Sequence, residues 1–265
     1  MQQAALDSDV TLRSRYECKY LVSEMMIPLL REMIHPFMQP DRFAAERPGH
    51  RYPISSLYLD SDDLHTYQQT VGGEKNRFKL RLRTYDDNPD SPVYFEVKRK
   101  VNNIVSKHRA AVPREAAQQL LEHRQTTLDL GVSQEERADL EEFLLHADLM
   151  HARPVVRVAY QREAYESRSG DPVRITVDTE LRHAMTLDFD LSHESGRWQS
   201  TPVEGAIIEI KFTERFPTWV SDLIRALDLK QQPVPKYVLS LDHFFSSGRE
   251  SAMSLGGLTL PPRRI

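Results

Sequence analysis

The chain has 265 residues, 40% of them hydrophobic and 28% charged, with a formal net charge of −4 at pH 7. That is enough apolar material for a packed core, and the slightly acidic balance excludes a global basic field of the kind that draws a protein to nucleic acid or anionic lipid. One cysteine, Cys18, excludes an intrachain disulfide and a thiolate metal cluster, and no apolar run approaches the length of a membrane span. The segment Met1 to Val10 is polar and lacks a signal-peptide core. The chain is therefore read as soluble and cytoplasmic, without a transmembrane segment of its own. A membrane-protein partner would have to recruit it through some other surface.

In chain order, residues 1–12 read as a loose leader. Residues 14–22 read as a strand, with Tyr16, Cys18 and Tyr20 opposite Arg15, Glu17 and Lys19. Ser23 is placed to cap a helix over Glu24 to Met38, whose apolar residues Met26, Leu29, Leu30, Met33, Ile34 and Phe37 recur at helical spacing. Residues 41–53 read as loop and 54–60 as a second strand. A short helix over 62–70 is closed by Gly72 and Gly73. Strands over 76–85, 92–101 and 103–112 form an antiparallel meander, with a tight turn at Asn102 and Asn103.

Pro113 opens a helix to about residue 124. Ser133 and Glu136 have capping-box spacing at the start of another, ending at Ala147. Strands follow at 154–166, 172–181, 186–191 and 205–212. Phe216 to Leu227 is read as the last helix, Lys236 to Leu241 as a final strand, and 246–265 as a poorly ordered tail.

The most informative feature is alternation of basic and apolar residues. In Arg77-Phe78-Lys79-Leu80-Arg81-Leu82-Arg83 a strand turns every basic group to one face and every apolar group to the other. The same signature recurs at Glu17-Cys18-Lys19, Glu96-Val97-Lys98, Lys107-His108-Arg109, Tyr160-Gln161-Arg162, Arg174-Ile175-Thr176-Val177-Asp178 and Glu209-Ile210-Lys211. Strands that each present cations to one face predict a sheet built around a polyanion. The ten His residues do not fall at metal-ligand spacings.

These motifs, in this order and with a late Pro235-Lys236-Tyr237, resemble the VTC domain, the catalytic module of vacuolar transporter chaperone polyphosphate polymerases. That domain belongs to the triphosphate tunnel metalloenzyme (CYTH-like) superfamily, and the resemblance runs from about Arg13 to Phe245. It implies an α+β fold: an antiparallel eight-stranded β tunnel with helices packed outside. It also implies a metal-dependent phosphotransferase that uses the γ-phosphate of ATP to extend polyphosphate, with Mn²⁺ or Mg²⁺. The alternatives are a tripolyphosphatase of the same superfamily and a non-catalytic polyphosphate- or nucleotide-binding module.

By motif position, Lys19, Arg81, Arg83, Lys98, Arg162, Arg174, Lys211 and Lys236 are the expected catalytic set. Lys79, Lys107, Arg109, Tyr160 and Tyr237 are the expected substrate contacts. Glu209 and Glu17 are the expected metal ligands, while Glu96 and Asp178 hold neighbouring cations in place. The chemistry suits these types: arginine grips phosphate oxygens with a planar fork, lysine acts as a point charge, and divalent cations take carboxylates together with phosphate oxygens. One departure stands out. The fungal polymerases carry a second Lys three residues after the late one, where this chain has Leu239. Arg225 and Lys230 are the candidates to replace it.

Overall fold

The computed structural model describes residues 16–102, 104–124, 130–169, 172–213 and 216–247. The expected leader and most of the expected tail lie outside these residues, as does Arg15.

One antiparallel sheet dominates. Its main path has eight strands: β1 (Tyr16–Val22), β10 (Ala206–Phe212), β8 (Val173–Met185), β7 (Arg153–Ser167), β3 (Arg51–Asp60), β4 (Asn76–Thr84), β5 (Val93–Val101) and β6 (Ile104–Val112). Two short strands join from the side, β2 (Met38–Pro40) on β7 and β9 (Gln199–Ser200) on β8. The expected meander is present as β4–β5–β6. Among the described residues no ladder joins β1 to β6. The sheet instead curls until the edge strand β1 meets the strand next to the opposite edge: Lys98 on β5 lies 3.1 Å from Glu17 on β1. The inner wall is thus closed by ion pairing across the lumen, not by a continuous hydrogen-bonded barrel.

Period-two alternation explains why the sheet curls this way round. Ile208, Ile210, Val173, Ile175, Val177, Tyr20 and Val22 turn outward to a core completed by α1 (Ile27–Ile34) and α6 (Thr218–Ala226). Leu80, Leu82, Val93, Phe95 and Val97 turn outward against α4 (Arg114–His123) and α5 (Gln134–Leu149). Each apolar face is buried by helices, at roughly 25 cal/mol per Å² of apolar surface, so the intervening basic residues must face the lumen. A one-residue slip would exchange the two sets.

Several boundaries differ from the sequence reading. The first helix is shorter: a single 3-10 turn over Glu24–Met26 leads into α1, which ends at Ile34 just before Pro36, and Phe37 beyond it stacks on Trp219 at 4.7 Å. The expected loop 41–53 holds α2 (Arg42–Ala45), capped by Asp41, and the start of β3. Residues 186–191 form no strand. Asp190 spends its carboxylate on Arg157 and on the Ser192 N–H and Ser195 hydroxyl, local bonds that compete with a ladder. The largest difference is at the C-terminal end, where Lys236–Ser246 is a helix, α7, not a strand. Tyr237, Val238, Leu241 and Phe244 form its buried stripe, a helical spacing that outweighs the alternation of Tyr237, Leu239 and Leu241. α3 (His65–Val71) packs beside α7 and completes the layer.

Candidate functional site

The site is the inner wall of the curled sheet. Lys19 comes from β1, Lys211 from β10, Arg174 from β8 and Arg162 from β7. Lys79, Arg81 and Arg83 come from β4, Lys98 from β5, Lys107 and Arg109 from β6, and Lys236 from the first turn of α7. The basic residues expected from the motifs therefore come together from seven strands and one helix, and four lumenal carboxylates are distributed among them.

Glu96 is fully buried and serves several cations at once. Arg81 lies 2.6 Å away, Arg109 3.4 Å, Lys107 3.9 Å and Arg83 4.0 Å. Burial opposes its ionisation, but Arg81, Arg83, Lys107 and Arg109 outweigh that and hold the carboxyl well below the usual range. Asp178 is the counterpart across the lumen. It takes a two-pronged contact from Arg162, at 2.6 and 2.8 Å, and Lys236 at 2.7 Å. Burial again opposes ionisation, and Arg162 and Lys236 overcome it.

The other two carboxylates sit on adjacent strands, where Lys19 is register partner of Glu209 and Glu17 of Lys211. Lys19 Nζ lies 2.9 Å from Glu17 and 3.6 Å from Glu209. Lys211 is 2.7 Å from Glu209. One ammonium thus occupies the position between two glutamates that would receive a divalent cation. Beside Glu209, the Thr176 hydroxyl is buried and makes no hydrogen bond. Two ionised carboxylates and an unused oxygen are the hard donor set that Mg²⁺ or Mn²⁺ prefers, so the residues fit the expected metal. Glu17 and Glu209 are both held ionised at neutral pH, each by surrounding lysines that overcome the cost of burial.

The remaining expected residues divide by place. Arg174 turns toward one end, 2.5 Å from Asp41, the residue that caps α2. Tyr160 accepts a hydrogen bond from Arg83 at 3.3 Å. Tyr237 is fully buried and donates to Asp60 at 2.7 Å, so its hydroxyl serves the packing of α7. Arg77 turns back to the Glu74 carbonyl of its own turn.

Sequence reasoning missed two tyrosines. Tyr58 on β3 stacks on Tyr237 with centroids 4.9 Å apart and receives Arg81 at 3.2 Å. Burial opposes its ionisation, yet Arg81, Arg83 and Lys79 bring its phenol down to about 7. Tyr85 accepts from Arg109 at 3.1 Å and is lowered to about 8, with Arg109 and Arg83 overcoming burial. The available signal was the shared face of Ser56 and Tyr58 on the stretch 54–60, which carries no basic residue of its own. Lys79 has too few counter-charges, and burial lowers it to about 8.

Arg225 and Lys230 do not replace the absent lysine. Both are largely exposed and face their own neighbours Asp222 and Asp228. Leu239 packs against the apolar cluster beneath α7.

A lumen so rich in cations is unfavourable to bury without an anion, so the geometry is that of a polyanion site. Comparisons with known proteins agree. Subunit 4 of the vacuolar transporter chaperone complex of Trypanosoma cruzi is 23% identical over 70% of this chain, and that of Trypanosoma brucei brucei is 25% identical over 70%. The chain spans only 27% of the length of each. A solved structure from Bacillus halodurans aligns over 84% of this chain and 94% of its own, with 14% identity and a TM-score of 0.49, a likeness too distant to carry an argument. The decisive match is to the model of the VTC domain, which covers residues 14–245 and with them the whole basic wall: the chain belongs to the VTC domain family.

Proposed function

We propose that this chain is a metal-dependent phosphotransferase that extends polyphosphate with the γ-phosphate of a nucleoside triphosphate, ATP first. The observation that carries the reading is the charge imbalance of the inner wall. The lumenal lysines and arginines outnumber Glu17, Glu96, Asp178 and Glu209, and each of these carboxylates is already shared between two or more of them.

Little covalent chemistry falls to the protein in such a transfer, which is governed by positioning and electrostatic stabilisation. Arg81, Arg83 and Arg162, whose forks are partly engaged by Glu96, Tyr160 and Asp178, offer their remaining guanidinium N–H groups and their charge to phosphate oxygens. Lys19, Lys79, Lys98, Lys211 and Lys236 neutralise successive phosphates as point charges. Glu17 and Glu209 are the residues that would hold Mn²⁺ or Mg²⁺, and the cation would offset charge developing on the leaving diphosphate. A terminal oxygen of the growing chain attacks the γ-phosphorus, and the β–γ bridging P–O bond breaks to release the nucleoside diphosphate.

The second reading, a tripolyphosphatase, draws on Leu239. The second late lysine of the polymerases is Leu239 here, and neither Arg225 nor Lys230 takes its place, so the wall has one fewer contact with which to hold an acceptor chain. Water would then be the attacking group. Incubating the pure protein with ATP and Mn²⁺, with and without a pyrophosphate primer, separates the readings by gel. Polymer supports the first. Orthophosphate without polymer overturns it in favour of hydrolysis, and tight binding with neither product leaves a binding module. Glu209→Gln is expected to abolish either turnover while keeping tripolyphosphate binding within a few-fold.

A further inference from the structure

We propose that His108, Asp139 and Glu142 form a binding site for a divalent transition-metal ion on the outer face of the wall, apart from the lumen. Lys107 and Arg109 of β6 point inward, so His108 between them points outward, toward α5. There its Nδ1 lies 3.1 Å from Asp139 Oδ1 and 3.1 Å from Glu142 Oε2. One ligand atom from each of the three residues falls within 4.8 Å of the others. Metal–ligand bonds of about 2.0–2.2 Å set neighbouring donors roughly 2.8–3.1 Å apart in an octahedral shell and roughly 3.3–3.6 Å apart in a tetrahedral one. Two of the three separations already have that length, and the third lies within 4.8 Å.

The donors' other atoms are anchored, which distinguishes this cluster from a chance meeting of surface charges. Asp139 Oδ2 accepts the Arg109 backbone N–H at 2.8 Å. Glu142 Oε1 is held by Arg99 at 2.8 Å, and Arg99 is steadied by a 2.8 Å contact to His146 Nε2. Each carboxylate therefore keeps one oxygen fixed and turns the other toward His108, the arrangement by which outer contacts orient metal ligands. Asp139 and Glu142 are three apart on one face of α5, so the helix presents both together. An imidazole with two carboxylates selects zinc-like or manganese-like ions over calcium and magnesium, and the general affinity order favours zinc over manganese. Arg99 opposes part of the added charge and tempers the affinity. Bound there, the ion would clamp α5 to β6 directly behind Lys107 and Arg109.

The test is calorimetric titration of the full chain with Zn²⁺ in the presence of excess Mg²⁺, paired with thermal melting. Wild type and Glu209→Gln are expected to bind zinc alike and to melt higher with it. His108→Gln and Asp139→Asn are expected to bind at least tenfold more weakly and to lose the thermal gain. Because His108 is partly exposed, its replacement tests the site even if Asp139→Asn impairs folding. Equal zinc binding by wild type and His108→Gln overturns the proposal. So does loss of zinc binding in Glu209→Gln with retention in His108→Gln, which would place the ion in the lumen.

Discussion

Replacing Glu96 by Gln is the sharpest probe of the charge balance in the wall. The substitution keeps shape and an acceptor oxygen but removes the charge shared by Arg81, Arg109, Lys107 and Arg83, at 2.6, 3.4, 3.9 and 4.0 Å. Removing one partner of a buried pair costs about 3–5 kcal/mol, and the retained amide places this case near about 3. At about 2–4 °C per kcal/mol for a domain of this size, melting should fall by roughly 6–12 °C. A polyanion reverses the sign. Saturating tripolyphosphate, at about a hundred times its Kd, adds about 2.7 kcal/mol to the wild type. The variant should gain more, because the carboxylate that competes with phosphate for Arg81 is gone.

Differential scanning fluorimetry with and without tripolyphosphate measures both quantities. A variant as stable as wild type, or one that gains no more from the ligand, would refute the reasoning. Acid titration supplies an independent check. Burial opposes ionisation of Glu96 and the surrounding guanidinium and ammonium groups overcome it, so its folded value lies well below the unfolded one of about 4.3. Its contribution is complete above that unfolded value and is lost as pH falls through the folded one, so Glu96→Gln should flatten the acid limb of the stability curve.

Lys79 is lowered by burial to about 8, so between there and about 10.4 the unfolded chain binds more protons, and this group makes ligand-free stability rise with pH. Tripolyphosphate prefers the charged form, so its affinity should weaken above pH 8, by up to about tenfold per pH unit, and Lys79→Arg should remove that loss in a fluorescence or calorimetric titration. Asp178→Asn leaves Arg162 and Lys236 buried without their shared counter-charge. A loss of about 3–5 kcal/mol is expected, with faster amide hydrogen exchange in α7, which Lys236 anchors. Gly196 has φ +98°, and a Cβ there would overlap the Arg157 guanidinium. Gly196→Ala should therefore cost about 1–3 kcal/mol and shift the emission of Trp198, whose ring both Arg157 and Arg182 approach.

The basic wall was legible because strands write it into the sequence at period two. Lys79, Arg81 and Arg83 could face only one way once Leu80 and Leu82 faced the core, and no long-range knowledge was needed. The capping box at Ser133 and Glu136 was legible for the same local reason. What escaped depends on contacts between distant segments. Lys236–Ser246 offered both a strand-like and a helix-like pattern, and packing of its stripe against β7, β8 and α3 decided between them. Tyr58 carries no charge, and only the assembled wall gives it cationic neighbours. His108 looked isolated because its partners Asp139 and Glu142 lie some thirty positions away, on a helix that the sequence could place but not dock. The resemblance implied a closed tunnel, but not how it closes, since Glu17 and Lys98 meet without a shared ladder.

The four lumenal carboxylates fall into two kinds, and the difference orders events in the proposed reaction. Glu96 and Asp178 are gripped by guanidinium groups at 2.6 Å, contacts with fixed fork geometry that hold the wall itself. Glu17 and Glu209 are held at close range by ammonium groups alone, on the flexible stems of Lys19, Lys98 and Lys211. A lysine is a point charge and can swing to a new partner at little geometric cost. Phosphate entering the lumen attracts those three lysines away from the glutamates, and two glutamates so released would repel each other unless a cation joined them. Glu17 and Glu209, if they held a divalent cation there, would free Lys19 for phosphate. On this account metal and polyanion bind with positive coupling, each freeing the partner the other needs, and the coupling is reciprocal by thermodynamic necessity. Tripolyphosphate should then bind more tightly as Mn²⁺ is added to wild type, beyond what metal–phosphate pairing in solution explains. In Glu17→Gln combined with Glu209→Gln that excess should vanish while metal-free binding strengthens. An unchanged excess in the double variant would show that the two glutamates do not carry the coupling.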